Sequence, residues 1–194
     1  VGESGNYERT HRRRDFSLTP PRPTVLNKLM DAGVATVGVG KIDDLFAGNG
    51  LSVKIHTKSN MDGMDKTIAA LGEHPRGLIF TNLIETDMLW GHRNDPKGFA
   101  NALEQFDRRL GEMLEHLKDS DALFISADHG CDPTTPSTDH SREIVPLLVY
   151  GPALRQGVDL GRRQCYADLA ATIADMLGSG RPEAGTSFLS DLQT

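Results

Sequence analysis

Apolar positions recur along the chain in two alternating patterns: short unbroken runs, and runs that step by three and four. Val25, Leu26, Leu29 and Met30 follow Thr24, a suitable N-cap, and precede Gly33, which predicts a short helix. Val34 to Val39 is a β-branched run of the kind a buried strand uses, closed by Gly40 and Lys41. Asp62–Leu71 reads as a helix and Leu78–Ile84 as a strand. Phe99, Leu103, Phe106, Leu110, Met113, Leu114 and Leu117 mark the apolar face of a long amphipathic helix. Leu123–Ala127 and Val145–Tyr150 read as strands, and Tyr166–Leu177 as a last helix with Gly178 just past its end. Strands alternating with helices predict an α/β fold with a mostly parallel sheet. The strands lack polar alternation, so helices are expected on both faces.

Residues 1–23 fit neither period. They are polar, carry a basic cluster at Arg9, His11, Arg12, Arg13 and Arg14, and end at Pro20, Pro21 and Pro23. They read as an appendage, with residues 24–194 as the α/β core.

Composition narrows the function. The 194 residues carry a formal net charge of −6, which argues against a general nucleic-acid binder. No apolar run approaches the roughly 18–20 residues of a membrane span. Cys131 and Cys165 are too few for a disulfide framework, so a reducing cytoplasm is expected.

The chemistry lies beyond two strand ends, where α/β sheets place their sites. After Leu78–Ile84 come Asp87 and His92; after Leu123–Ala127 come Asp128 and His129; a polar stretch from Gly130 to Glu143 then carries Asp139 and His140. Asp87 and His92 are five apart and share no α-helical face, so joint action needs an irregular turn, for which Gly91 offers backbone freedom. Gly130 offers the same after Asp128 and His129. A long polar loop bounded by two Asp-His pairs favours function over disorder. Any one of these residues alone could be a cap or a turn former. Together, as carboxylates and histidines leaving one sheet edge, they form a candidate metal site. Oxygen and imidazole ligands suit Mn, Zn, Fe or Mg rather than a Cys-based structural zinc, and paired ions of this kind serve phosphoryl chemistry. Neither a P-loop nor a G-x-S-x-G elbow occurs.

At Asp128-His129-Gly130, Thr138-Asp139-His140 and Asp87…His92 the chain resembles the alkaline phosphatase superfamily of two-metal phosphotransferases. Gly5–Thr10, Val39–Ile42, Asp87–Arg93, Gly185–Leu189 and above all the run Thr57-Lys58-Ser59-Asn60-Met61-Asp62-Gly63-Met64-Asp65 narrow the resemblance to its phosphopentomutase family. The resemblance implies an alkaline-phosphatase-like core and interconversion of ribose 1-phosphate and ribose 5-phosphate, or their 2-deoxy forms. It also implies two Mn²⁺ ions in the complete enzyme. Asp87, His92 and His140 would hold one ion, while Asp128 and His129 would contribute to the other. Lys41, Arg9, Lys58 and Asn60 become candidate contacts to a sugar-phosphate substrate. The family's N-terminal Asp and its threonine nucleophile have no match in context here. The chain therefore resembles the C-terminal half of such an enzyme, with residues 1–15 as the trailing edge of a cap domain. A missing N-terminal segment is an expected partner, and the isolated chain is expected to be inactive. Two other readings stay open: another phosphomutase or a phosphatase of the superfamily, and a non-catalytic metal-binding half.

Overall fold

A computed structural model describes residues 2–7 and 16–193. The chain opens with a two-strand antiparallel ladder, β1 (Gly2–Glu3) and β2 (Asn6–Tyr7), turned at Gly5 with φ 86°. Sequence reasoning left this stretch without structure, because two-residue strands are too short to show a period. The basic cluster Arg9–Arg14 lies outside the described residues.

The core begins at α1 (Val25–Asp31). Asn27 Oδ1 accepts from the Thr24 backbone N–H at 2.9 Å and from its hydroxyl at 3.0 Å, which fixes the entry of the helix. Strand β3 (Ala35–Gly40) lies between β4 (Val53–Ile55) and β5 (Gly77–Asn82), all parallel. Val37 and Val39 are fully buried with Ala70 of α3 (Asn60–Glu73) on one face. Leu26 and Ile42, the latter from α2 (Ile42–Leu45), pack with Leu51 on the other. Gly38 leaves room on that second face for Leu51, whose Cδ1 would stand 2.8 Å from a Cβ there. The expectation of a parallel sheet with helices on both faces is met at this three-stranded unit. Strand β4 and α2 were not foreseen, since three- and four-residue elements carry too little pattern.

The long helix α4 (Pro96–Leu114) starts at Asp95, whose carboxylate accepts from Gly98 N–H at 3.0 Å. Its buried side runs through Ala102 and Met113, while Leu103, assigned to the apolar face, is 51% exposed. Strands β6 (Leu123–Ser126) and β7 (Leu147–Tyr150) pair antiparallel as a separate ladder rather than extending the parallel sheet. Leu148 and Tyr150 of β7 are exposed, so two-sided coverage does not extend to this ladder. Helices α5 (Ala167–Leu177) and α6 (Leu189–Leu192) close the chain, with Gly178 in the left-handed region at φ 71° as the α5 cap. Among the described residues no helix is long and apolar enough to cross a membrane.

Candidate metal centre

Past β5 the chain enters a π-helical turn, Thr86–Trp90, and then a 3₁₀ turn, Gly91–Arg93. The wider i→i+5 winding is the irregular turn that the spacing of Asp87 and His92 demands. It brings Asp87 Oδ2 to 3.3 Å from His92 Nε2. Gly91 serves this turn differently from expectation. Its backbone is ordinary right-handed, φ −59° and ψ −61°. What excludes a side chain is space, because a Cβ there would lie 2.4 Å from Cys131 Sγ. Trp90 packs equally tightly over Gly98 of α4, pinning the turn to that helix.

His129 and His140 arrive from the other ladder. His129 follows β6, and His140 ends the polar loop. Gly130 and Ser141, the residues immediately after each histidine, form an antiparallel bridge, with Ser141 N–H donating to Gly130 O at 2.9 Å. That pairing sets the two imidazoles side by side, stacked at 3.6 Å and 17°. Gly130 is again a matter of space, since a Cβ would stand 2.7 Å from Ser141 O. The loop is tied down further by Asn94 Nδ2 donating to Thr135 O at 2.9 Å.

The donors converge. Asp87 Oδ1 lies 3.3 Å from His140 Nε2. Ligand atoms of Asp87, His129 and His140 all fall within 4.8 Å of one another. His92 stacks on His140 at 5.0 Å. Backbone carbonyls decide which ring nitrogens face inward. Thr138 O lies 2.6 Å from His92 Nδ1, and Gly130 O lies 3.1 Å from His129 Nδ1. A carbonyl only accepts, so both Nδ1 atoms carry the proton. In the neutral rings each Nε2 then presents a lone pair, and that of His92 faces a carboxylate oxygen. Asp87 Oδ1 is buried and accepts no hydrogen bond from the described residues. Lone pairs turned toward one another around an orphaned carboxylate oxygen are the arrangement a divalent cation satisfies, so the residues fit a metal.

Other expected site residues are placed as follows. Asp128 lies 3.7 Å from His129, with its side chain 59% exposed. His129 thus sits with Asp87 and His140 as well as beside Asp128, where the resemblance divides these residues between two ions. Lys41 follows β3, and Lys58 follows β4; with the Asp87 turn after β5 they leave the same edge of the parallel sheet, where Val39 is in register with Ile55 and Gly40 with Asn82. Lys58 is exposed, and its backbone N–H donates to Asp62 at 2.8 Å. Asn60 is only 6% exposed and faces Glu85. Arg9 lies outside the described residues. Burial pushes the Cys131 thiol up, and Asp87, Asp132 and Glu143 push it the same way. It therefore stays protonated and is a poor nucleophile. Sequence reasoning missed the carbonyls of Thr138 and Gly130 and the acceptor role of Glu85, because backbone carbonyls leave no compositional signal.

These elements form a candidate metal centre, and comparison with known proteins places the chain among metalloenzymes. The Metalloenzyme superfamily matches residues 3–180, and the chain belongs to that superfamily, whose core is alkaline-phosphatase-like. The chain is similar to the phosphopentomutases of Anaeromyxobacter sp. strain K (56% identical), Caldanaerobacter subterraneus (54%) and Clostridium novyi (52%), as the Lys58–Asp65 run implied. The alignments cover 99%, 99% and 98% of this chain but 49% of each relative, so the chain spans about half their length. The PH0037 protein from Pyrococcus horikoshii shares the fold, with a TM-score of 0.53 and 24% identity over 63% of this chain and 39% of that one.

Proposed function

We propose that this chain is the metal-binding half of a phosphopentomutase that interconverts ribose 1-phosphate and ribose 5-phosphate, and their 2-deoxy forms. The observation that carries this reading is the convergence of Asp87, His92, His129 and His140 around a buried carboxylate oxygen without a hydrogen bond, in a chain more than half identical to phosphopentomutases. Residues 24–194 form the core and residues 1–23 an arm or the trailing edge of a cap domain.

Asp87, His92, His129 and His140 would hold the metal, with Asp128 beside His129 contributing to a second ion; we assign Mn²⁺ to both. Bound there, such ions neutralise the charge of a phosphoryl group in transfer. The protein's own part is orientation. Thr138 O and Gly130 O hold two imidazoles with their lone pairs inward. Lys41 and Lys58, leaving the same sheet edge as Asp87, supply positive charge for a substrate phosphate, and Arg9 adds a fork of donors suited to phosphate oxygens. The thiols of Cys131 and Cys165 are both free, which suits a cytoplasmic setting.

The test is a chimera in which these 194 residues replace the corresponding half of the Caldanaerobacter enzyme. It is expected to convert ribose 1-phosphate to ribose 5-phosphate and to lose that activity with Asp87→Asn. A folded, metal-binding chimera that only hydrolyses phosphate monoesters would assign a phosphatase instead.

A further inference from the structure

Among the described residues Asp87 is the one carboxylate shared by the donors of the centre, and none of them gives its Oδ1 a hydrogen bond that could hold it in place. Its position comes from the backbone on both sides, which Trp90 pins to α4 after it and a second contact holds before it. The backbone before it is gripped from a distance of 25 residues in sequence. The Asn60 backbone N–H donates to Glu85 Oε2 at 2.6 Å, and the Glu85 backbone N–H donates to Asn60 Oδ1 at 3.0 Å. Asn60 Nδ2 reaches Thr86 Oγ1 at 3.4 Å. The contact is reciprocal, each residue giving its N–H to the other's side chain.

Asn60 is itself firmly seated. It is the first residue of α3, behind Ser59, whose hydroxyl accepts from Asp62 N–H at 3.1 Å. Thr67 and Thr81 hydroxyls meet at 2.8 Å and bind α3 to β5. A Cβ on Gly63 would stand 2.9 Å from Leu83, so helix and strand exit are in close contact. The Asn60 amide is buried and its groups are spent on Glu85 and Thr86.

We infer that Asn60 and Glu85 are positioning residues of the metal centre: their reciprocal clamp fixes the two residues before Asp87 and so aims its carboxylate at the imidazoles. This replaces substrate contact as the role of Asn60. It rests on the reading of Asp87 as a metal ligand. Partners that orient a ligand typically govern metal affinity by about 10–100-fold.

The test uses the 194-residue chain and Mn²⁺ alone, with free Mn²⁺ counted by electron paramagnetic resonance and folding followed by circular dichroism. Asn60→Ala and Glu85→Ala are expected to weaken binding at least about 10-fold. Glu85→Gln keeps an oxygen acceptor for the Asn60 N–H and is expected to bind as the parent does. Glu85→Asp withdraws that acceptor by one methylene and is expected to weaken binding even if an alanine variant fails to fold. Thr67→Val, which loosens α3 elsewhere, is expected to lower the melting temperature and leave affinity unchanged. Parental affinity in Asn60→Ala or Glu85→Ala, or in Glu85→Asp should those not fold, would overturn the clamp, provided Asp87→Asn abolishes binding. Parental affinity in Asp87→Asn would overturn the metal centre itself.

Discussion

His140 has the most exposed side chain of the four donors brought together, at 49%, yet it touches the other three: Asp87 by its Nε2, His92 and His129 by its ring. Removing it opens the shell from the solvent side without emptying a packed core. His140→Ala is therefore expected to weaken Mn²⁺ binding by more than about 10-fold in calorimetric titration, while His116→Ala, exposed in the turn after α4, leaves it unchanged. Equal effects would place the centre elsewhere. A second prediction concerns Asp168, which is 5% exposed and holds the end of the chain. Its carboxylate accepts from Thr186 N–H at 2.8 Å and from Gln164 N–H at 3.2 Å. The Thr186 bond is the largest influence keeping its pKa below the ordinary value, and burial opposes it. A depressed folded pKa means stabilisation that is complete above the unfolded carboxylate's pKa of about 3.9 and lost as the pH falls through the folded value. Asp168→Asn is expected to cost about 1.5–3 kcal/mol at pH 7. In urea unfolding the gap to the parent should narrow toward pH 3, and a gap independent of pH would show that charge plays no part.

The π turn from Thr86 to Trp90 decides how the site is built, and its tolerance is set by close approach. Gly91→Ala drives a methyl into Cys131 Sγ and is expected to destabilise by about 1–3 kcal/mol. Cys131→Ala removes that sulfur, so thermal unfolding of the double variant is expected to recover most of the loss, a coupling that strict additivity would refute. Elements with a clear period were legible from the sequence: β3 from its β-branched run, α5 from its 3.6 spacing and its glycine stop. The need for an irregular turn between Asp87 and His92 was legible too, because a five-residue offset fits no α-helical face. The reason for Gly91 was not, since steric crowding by Cys131 depends on a loop 40 residues further on. The separate β6–β7 ladder was equally hidden, because periodicity reveals strands but not which edges they pair with.

Across the molecule, donors from the end of β5 and from the end of β6 meet although the two strands belong to different hydrogen-bonded ladders. The centre is thus a property of the tertiary fold, assembled by the Gly130–Ser141 bridge on one side and the Asn60–Glu85 clamp on the other. Three threonines near these donors are engaged elsewhere: Thr86 reaches Asn60, and Thr134 and Thr135 bond to Asp132, while Thr138 meets His92 through its backbone carbonyl. The 194-residue chain by itself is expected to bind metal and to show negligible conversion of ribose 1-phosphate, measured by coupled assay; robust turnover would reveal a nucleophile within these residues. The most direct measurement is an anomalous difference map at the manganese edge from crystals of this chain soaked in Mn²⁺. A strong peak within coordination distance of the Asp87 carboxylate and the Nε2 atoms of His129 and His140 is the expected result, whether or not a second appears at Asp128. A saturating soak that leaves the Asp87 position empty would contradict the metal centre.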